Sequence, residues 1–140
     1  MKTLYLSDLD GTLLTPQACL SAFTAETVRR LLREGMTFSY ATARSFSTAK
    51  KVTAALGDAR LPVIVYNGEA IVDAGDGTVL DAVYFTPEEA AFVRGVLEAA
   101  RLRPMVYSRP AARVQAERVA YLGTCEMRSE LHRNSARLIC

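Results

Sequence analysis

The 140-residue sequence contains no apolar run that approaches the length needed to cross a bilayer, so it predicts no membrane-spanning helix. Its formal net charge is only +2, which is too small to indicate a nucleic-acid or membrane partner. It has only three cysteines, an odd number without metal-like spacing, and we interpret them as reduced thiols. Because Met1 to Thr3 run straight into an apolar segment, we expect no secretory signal and a cytoplasmic protein.

The first half of the chain alternates between short apolar runs and longer amphipathic stretches. Apolar runs at 3–6, 36–41 and 62–66 predict strands, and amphipathic stretches at 20–34 and 45–56 predict helices between them. Either Ser45 or Ser47 can cap the second helix. We interpret the first run as a buried strand. This alternation is typical of an α/β fold with a partial doubly wound, Rossmann-like parallel sheet, in which functional residues lie beyond the carboxyl ends of the strands.

The pattern changes after Gly68. Apolar segments at 70–72 and 79–85 flank a glycine-containing turn and predict a β-hairpin. The segment 86–89 has the composition of a capping box with proline at the first helical position, and it predicts the start of a helix. A strand is expected at 103–108. We expect a further helix with one side formed by Tyr121, Leu122, Cys125 and Leu131.

Two carboxylates directly follow the first apolar run. Asp8 and Asp10 are two residues apart, a spacing that places both side chains on one side of an extended chain. Two unpaired carboxylates at such a short distance repel each other. Mg²⁺ removes this repulsion, since it is a cation that prefers oxygen ligands. Gly11 allows a sharp turn after the pair. We therefore expect Asp8 and Asp10 to be metal ligands.

Ordinary turn chemistry and a calcium loop are the alternatives for this segment. An aspartate followed by glycine is common in turns, so the pair alone does not define a site. A calcium loop of the EF-hand type requires glutamate at its twelfth position. The sequence has Cys19 or Gln17 there, depending on where the loop begins, and the calcium interpretation fails.

Polar residues also follow the second and third predicted strands. Thr42, Ala43 and Arg44 come after the second strand, and Asn67 follows the third. The Thr42 hydroxyl and the Ala43 N–H can hold a phosphate oxygen, and Arg44 can be an electrostatic partner of the site or of a substrate. The alternatives are a buried strand-end hydroxyl for Thr42, a surface charge for Arg44 and a simple turn at Asn67. Because the carboxyl ends of parallel strands lie at the same end of a sheet, we expect Asp8, Thr42 and Asn67 to lie close together.

The segment Asp8–Thr12 resembles the first motif, DxDGT, of the haloacid dehalogenase (HAD) superfamily. Thr42 is similar to the end of the second motif, although Ala43 stands where the Cof-type branch usually has glycine. The segment 66–73 resembles the point where Cof-type proteins, which carry a class IIB cap, leave their core. The resemblance implies a HAD core at 1–68 followed by a partial cap at 69–140 that is α+β in structure.

The resemblance also implies an activity, that of a Mg²⁺-dependent sugar-phosphate phosphatase-like hydrolase. Its substrates are small phosphorylated metabolites, which are phosphoric monoesters. By position in the motifs, Asp8 is the nucleophile that becomes an aspartyl phosphate, and Asp10 is the general acid and base. The resemblance assigns phosphate or substrate binding to Thr42, Ala43, Arg44 and Asn67.

The sequence lacks the second half of the family's pattern. The family needs a lysine after the cap and then an acidic pair, whereas the lysines here are Lys2, Lys50 and Lys51. We therefore expect a truncated chain with an open sheet edge beside the first strand, which self-association or a complementing chain would cover. The alternative function is an inactive fragment or a non-catalytic binding or regulatory partner that keeps a phosphate and Mg²⁺ half-site. A receiver-like phosphoacceptor domain fits poorly, since it carries its acidic residues on different strands.

Overall fold

The computed structural model describes residues 3–57, 60–102, 105–109, 118–121 and 137–139. The chain forms two compact units, residues 1–82 and 83–140. The hairpin that follows Gly68 lies in the first unit, and the predicted domain boundary at residue 68 stays a prediction.

The first unit is built on a five-stranded mixed sheet. Its strands are β1 (Leu4–Asp8), β2 (Thr37–Ala41), β3 (Pro62–Val65), β4 (Ala70–Asp73) and β5 (Val79–Ala82), which lie side by side in chain order. Strands β1, β2 and β3 are parallel, whereas β4 and β5 form an antiparallel hairpin that continues the sheet from β3. The predicted α/β class, its parallel strands and the hairpin are confirmed.

Two helices connect the parallel strands. Helix α1 (Ala22–Arg33) follows β1, and α2 (Phe46–Thr53), extended by a 3₁₀ turn, follows β2. The Ser45 Oγ accepts the Thr48 N–H at 3.4 Å and caps α2, so Ser45 rather than its neighbour Ser47 begins this helix. No helix in the described ranges is both long and apolar enough to cross a bilayer.

The core of the first unit lies between α1, the 3₁₀ turn and β2. Val28, Phe38 and Leu56 form a buried cluster there, because α1 turns its apolar stripe towards the sheet. On β3, Val63 and Val65 are fully buried, as expected for a strand that has neighbours on both sides.

The prediction that the first strand is buried is wrong. Leu4, Tyr5 and Leu6 are 58, 55 and 53% exposed. The reason is that β1 lies at one edge of the five-stranded sheet and pairs only with β2 among the described residues. An apolar run is the same in sequence whether its strand is central or at an edge, so the run alone could not reveal the difference.

The second unit begins with helix α3 (Pro87–Ala99). The Thr86 Oγ1 accepts the Glu89 N–H at 3.2 Å, and the Glu89 carboxylate accepts the Thr86 N–H at 2.8 Å. The predicted capping box and the N-terminal proline are therefore confirmed. On the apolar side of α3, Phe92 and Val96 are exposed, whereas Val93 and Leu97 are half-buried.

A three-stranded antiparallel sheet completes the described part of the second unit. Its strands are β6 (Met105–Arg109), β7 (Arg118–Tyr121) and β8 (Arg137–Ile139), with β6 in the centre. The prediction that Tyr121 belongs to a helix is wrong, because its backbone pairs with Met105 across the β6–β7 ladder. The other positions of that predicted helix, Leu122, Cys125 and Leu131, lie outside the described residues.

Candidate active site

The two aspartates lie where β1 ends. Asp8 is the last residue of β1 and is paired in register with Ala41, the last residue of β2. Leu9, between the aspartates, is fully buried, whereas Asp8 and Asp10 are exposed. The chain then turns at Gly11, which has a φ of +77° that favours glycine. The buried leucine thus anchors a turn that presents both carboxylates to solvent.

Thr42 lies directly beyond the neighbouring strand β2 and is almost completely buried. Its N–H donates to the Ile64 carbonyl at 3.0 Å, which extends the pairing with β3 by one residue. Its Oγ1 accepts the Arg44 N–H at 3.1 Å. Because a hydroxyl also has a hydrogen to donate, Thr42 can still bind an acceptor such as a phosphate oxygen. Ala43 is exposed at the same turn.

The end of β3 is joined by backbone hydrogen bonds to the end of β2. The Tyr66 N–H donates to the Arg44 carbonyl at 3.0 Å, and the Asn67 N–H donates to the Thr42 carbonyl at 3.2 Å. Tyr66 and Asn67 have φ values of +54° and +57°, so both occupy the left-handed region. Tyr66 is buried and the Asn67 side chain is exposed. Sequence reasoning identified Asn67 but missed Tyr66, since tyrosine carries no signal for this conformation.

Arg44 connects the end of β2 to the turn after β1. Its Nε donates to Asp10 Oδ2 at 2.7 Å and its Nη2 donates to Asp10 Oδ1 at 2.6 Å, a bidentate ion pair. The hydrogen bond from Arg44 lowers the pKa of Asp10, and the bond to Asp10 in turn raises the pKa of Arg44. The side chains are 25% exposed for Arg44 and 52% for Asp10, so solvent screens the pair.

The structure therefore brings the predicted residues to one edge of the sheet by three kinds of contact. Strand register places Asp8 beside the start of the Thr42 turn, and backbone hydrogen bonds join that turn to Asn67. The ion pair joins Arg44 to Asp10. The expectation that the carboxyl ends of the first three strands meet is confirmed.

The donors at this edge fit a magnesium ion only in part. Magnesium in proteins binds one or two carboxylates and keeps several waters or substrate oxygens, and Asp8 and Asp10 supply that minimum. Both carboxylate oxygens of Asp10 already accept hydrogen bonds from Arg44. The backbone carbonyl of Asp10 is therefore the more accessible metal ligand of this residue. Within the described ranges, no group of three or more acidic, histidine or cysteine side chains is placed to hold a metal ion.

This fold is found in a known class of enzymes. The family model described as haloacid dehalogenase-like hydrolase matches residues 5–133. The chain is therefore a member of the haloacid dehalogenase-like hydrolase family, as its motifs indicated.

Relatives of this chain include two curated proteins that bear the name "Putative phosphatase". The protein of Buchnera aphidicola is 42% identical over 69 residues, which are 48% of this chain and 25% of that protein. The protein of Haemophilus influenzae is 35% identical over 68 residues, 49% of this chain and 25% of that protein. This chain thus aligns with about a quarter of the length of each.

Solved structures give the same fold. A haloacid dehalogenase-like hydrolase from B. subtilis superposes with a TM-score of 0.66 at 27% identity, over 80% of this chain and 38% of that one. The chain therefore spans well under two thirds of the proteins it resembles, and the activity of a whole enzyme is a separate inference.

Proposed function

We propose that this site serves the Mg²⁺-dependent hydrolysis of small phosphorylated metabolites, such as sugar phosphates, through an aspartyl phosphate. The observation that carries the proposal is the position of Asp8, which is exposed at the end of β1 and in register with β2, whose next residue is Thr42. A nucleophile has to be accessible and close to groups that bind the phosphoryl oxygens. Membership of a hydrolase family supports the same chemistry.

The reaction has two displacements at phosphorus. In the first, an Asp8 carboxylate oxygen forms a bond to phosphorus in line with the ester oxygen, and the bond from phosphorus to that ester oxygen breaks. Asp10, which Arg44 holds ionised in the free chain, has to take up a proton as the substrate binds. It then gives that proton to the departing alkoxide, which leaves as the alcohol. In the second, Asp10 takes a proton from water as the water oxygen attacks phosphorus, which releases inorganic phosphate and restores the Asp8 carboxylate.

The other site residues bind and orient the phosphoryl group. The Thr42 hydroxyl and the exposed Ala43 N–H donate to its oxygens, and Arg44 supplies positive charge. The exposed amide of Asn67 contacts the substrate or braces the turn. Asp8 and the Asp10 carbonyl would hold Mg²⁺, which when bound neutralises charge on the phosphoryl oxygens.

The remaining expectations belong to this proposal. They are a core part at residues 1–68, a cap part at residues 69–140 and a location in the cytoplasm. A partner segment or a second copy beside β1 is also part of it, since the backbone of that edge pairs on one side only within the described residues.

A second candidate function is a half-site that binds phosphate and Mg²⁺ without turnover. The two-carboxylate donor set favours it, because described residues provide no third acidic ligand. Among the described lysines, Lys50 is bound elsewhere, since its Nζ donates to the Gly75 carbonyl at 2.6 Å. Each missing electrostatic contact costs about 10²–10³-fold in rate.

Hydrolysis of p-nitrophenyl phosphate, measured with and without Mg²⁺, tests the proposal. We expect Mg²⁺-dependent turnover that Asp8→Asn abolishes, because the amide is not a nucleophile. Asp81→Asn is the matched control, since Asp81 is an exposed aspartate of β5, and it should keep the wild-type rate. Turnover that survives Asp8→Asn would refute the assignment of the nucleophile.

Binding of inorganic phosphate, measured by calorimetry in the presence of Mg²⁺, separates the two candidates. Phosphate binding without turnover, lost in Asp8→Asn and kept in Asp81→Asn, would support the half-site and contradict the phosphatase. If the protein neither turns over nor binds phosphate, both candidates fail.

A further inference from the structure

We infer that the left-handed turn at Tyr66–Asn67 positions Arg44 and, through its guanidinium, the carboxylate of Asp10. Tyr66 and Asn67 are positioning residues in this arrangement, since they act on the site through their backbone. The importance of Asp10 rests on the proposed function. The chain of contacts from the turn to Asp10 stands on the geometry alone.

The first step is the direction of two neighbouring N–H groups. In an extended chain, successive N–H groups point to opposite sides, whereas in a helical or left-handed turn they point the same way. Val65 is extended, with φ −129° and ψ 169°, and the backbone becomes left-handed at Tyr66. This change turns the N–H groups of Tyr66 and Asn67 towards the same loop, where they donate to the carbonyls of Arg44 and Thr42.

The conformation is costly, which indicates that these hydrogen bonds maintain it. Left-handed φ values are unfavourable for residues with a Cβ, and tyrosine is a bulky residue that rarely adopts them. Asparagine tolerates the region better, and Gly68, which follows with a φ of +99°, pays no Cβ penalty. Strain of this kind persists where surrounding contacts fix it, and burial of Tyr66 adds to those contacts.

The second step is the immobilisation of the Arg44 backbone. Its carbonyl accepts the Tyr66 N–H, and its own N–H donates to the Thr42 Oγ1. The next residue, Ser45, caps α2 through its side chain. Contacts on both sides of the residue therefore fix the point from which the Arg44 side chain extends.

The third step is the orientation of the Asp10 carboxylate by the Arg44 guanidinium. Asp10 follows the edge strand in an exposed turn, and both of its carboxylate oxygens accept from Arg44. A planar guanidinium that donates two parallel hydrogen bonds fixes the direction of a carboxylate as well as its distance. A general acid and base works only from a defined orientation, so the turn after β3 supports chemistry at the end of β1.

The competing explanation is that Asn67 acts through its exposed amide side chain. Glycine and valine at this position separate the two explanations. Asn67→Gly removes the amide but accepts the left-handed conformation, whereas the β-branched side chain of Asn67→Val opposes it. Asn67→Asp keeps both the size and the tolerance of this region and is the conservative variant.

The test is the NMR signal of the Arg44 Nε–H, observed in the full chain without ligand. The Arg44 Nε–H signal is assigned as the one that disappears in Arg44→Lys. The variant Asp10→Asn then gives the chemical shift and the exchange rate of this N–H without the ion pair. We expect Asn67→Val to speed exchange of this N–H with water by about tenfold, since an unfavourable left-handed residue opposes the turn by that order. Exchange in Asn67→Gly and Asn67→Asp should stay within about twofold of the wild type, because both residues tolerate the turn.

Equal exchange in the glycine and valine variants would overturn the inference, whether both match the wild type or both are fast. If Asn67→Val does not fold, Asn67→Ala replaces it, and exchange no faster than in Asn67→Gly would overturn the inference in the same way. These signals need no substrate. A chain without phosphatase activity can therefore still confirm the positioning, and an active chain can still contradict it.

Discussion

Replacing Leu9 by alanine tests how the two carboxylates are held at the sheet edge. Leu9 lies between Asp8 and Asp10 and is fully buried, so the change alters neither charge of the site. A buried Leu→Ala change costs about 2–5 kcal/mol, as the sum of lost transfer free energy and a cavity. The adjoining strand β1 has exposed apolar side chains and room to relax, which places the expected loss of unfolding free energy near the lower end, at about 2–3 kcal/mol.

Urea unfolding followed by far-ultraviolet circular dichroism measures this loss, since the sequence has no tryptophan for fluorescence. With a denaturant slope of about 1–3 kcal/mol/M, the midpoint should fall by about 0.7–3 M. Leu6→Ala is the matched control, because the same side chain is 53% exposed on the neighbouring strand and should cost about 1 kcal/mol or less. If Leu9→Ala is no more destabilising than Leu6→Ala, the buried leucine does not anchor the turn and the reasoning is refuted.

Three further changes have defined outcomes. Ser45→Ala removes the cap of α2 and should lower the unfolding free energy in urea by about 1 kcal/mol, whereas Ser47→Ala should change it by less. Arg44→Gln removes the cation that lowers the pKa of Asp10. The ionised Asp10 stabilises the fold at pH values above the pKa of about 3.9 that it has in the unfolded chain. This stabilisation is lost as the pH falls through the lower pKa that Asp10 has in the folded chain. The variant should therefore be less stable at neutral pH, by about 0–1 kcal/mol for a screened pair, and the difference should vanish in strong acid. Burial raises the pKa of Tyr40, so the stability it contributes is present below its unfolded pKa of about 10 and lost as the pH rises through the folded pKa. Tyr40→Phe should flatten the alkaline fall of the unfolding free energy, and an unchanged fall would contradict the assignment.

Local signals in the sequence predicted most of the first unit and the start of α3 in the second. The serine cap of α2 and the capping box of α3 act over three or four residues, and both elements begin where those residues indicated. The parallel strands and the hairpin followed from short apolar runs separated by turn residues. These features depend on neighbours in the chain, which is why the sequence alone predicted them.

The features that the sequence did not predict depend on residues distant in the chain. The apolar run of β1 fits an edge or a central strand, and only the missing half of the family's pattern indicated the open edge at which β1 lies exposed. The β7 segment has a weak pattern of its own and becomes a strand because it pairs with β6. Tyr66 adopts a left-handed conformation that its type disfavours, since carbonyls more than twenty residues earlier accept its N–H and that of Asn67.

The site shows the same division between local and distant causes. Sequence motifs named Asp8, Asp10, Thr42 and Asn67 and placed them near one edge, because parallel strands end together. They named Arg44 as an electrostatic partner without identifying its contact, which lies 34 residues earlier at Asp10. Such a contact depends on the exact path of two loops, and no short motif records it.

An edge strand holds a pair of carboxylates less firmly than a central strand, because it has sheet hydrogen bonds on one side only among the described residues. Asp8 is held by register with β2, whereas Asp10 lies beyond the strand and depends on the buried Leu9 and on the ion pair to Arg44. An ion pair this exposed adds little to global stability. The direction of the pair matters more than its energy, since two parallel hydrogen bonds restrict the Asp10 carboxylate to one orientation. The strained turn after β3 then has a physical purpose, because it fixes the base of the arginine that carries out this restriction.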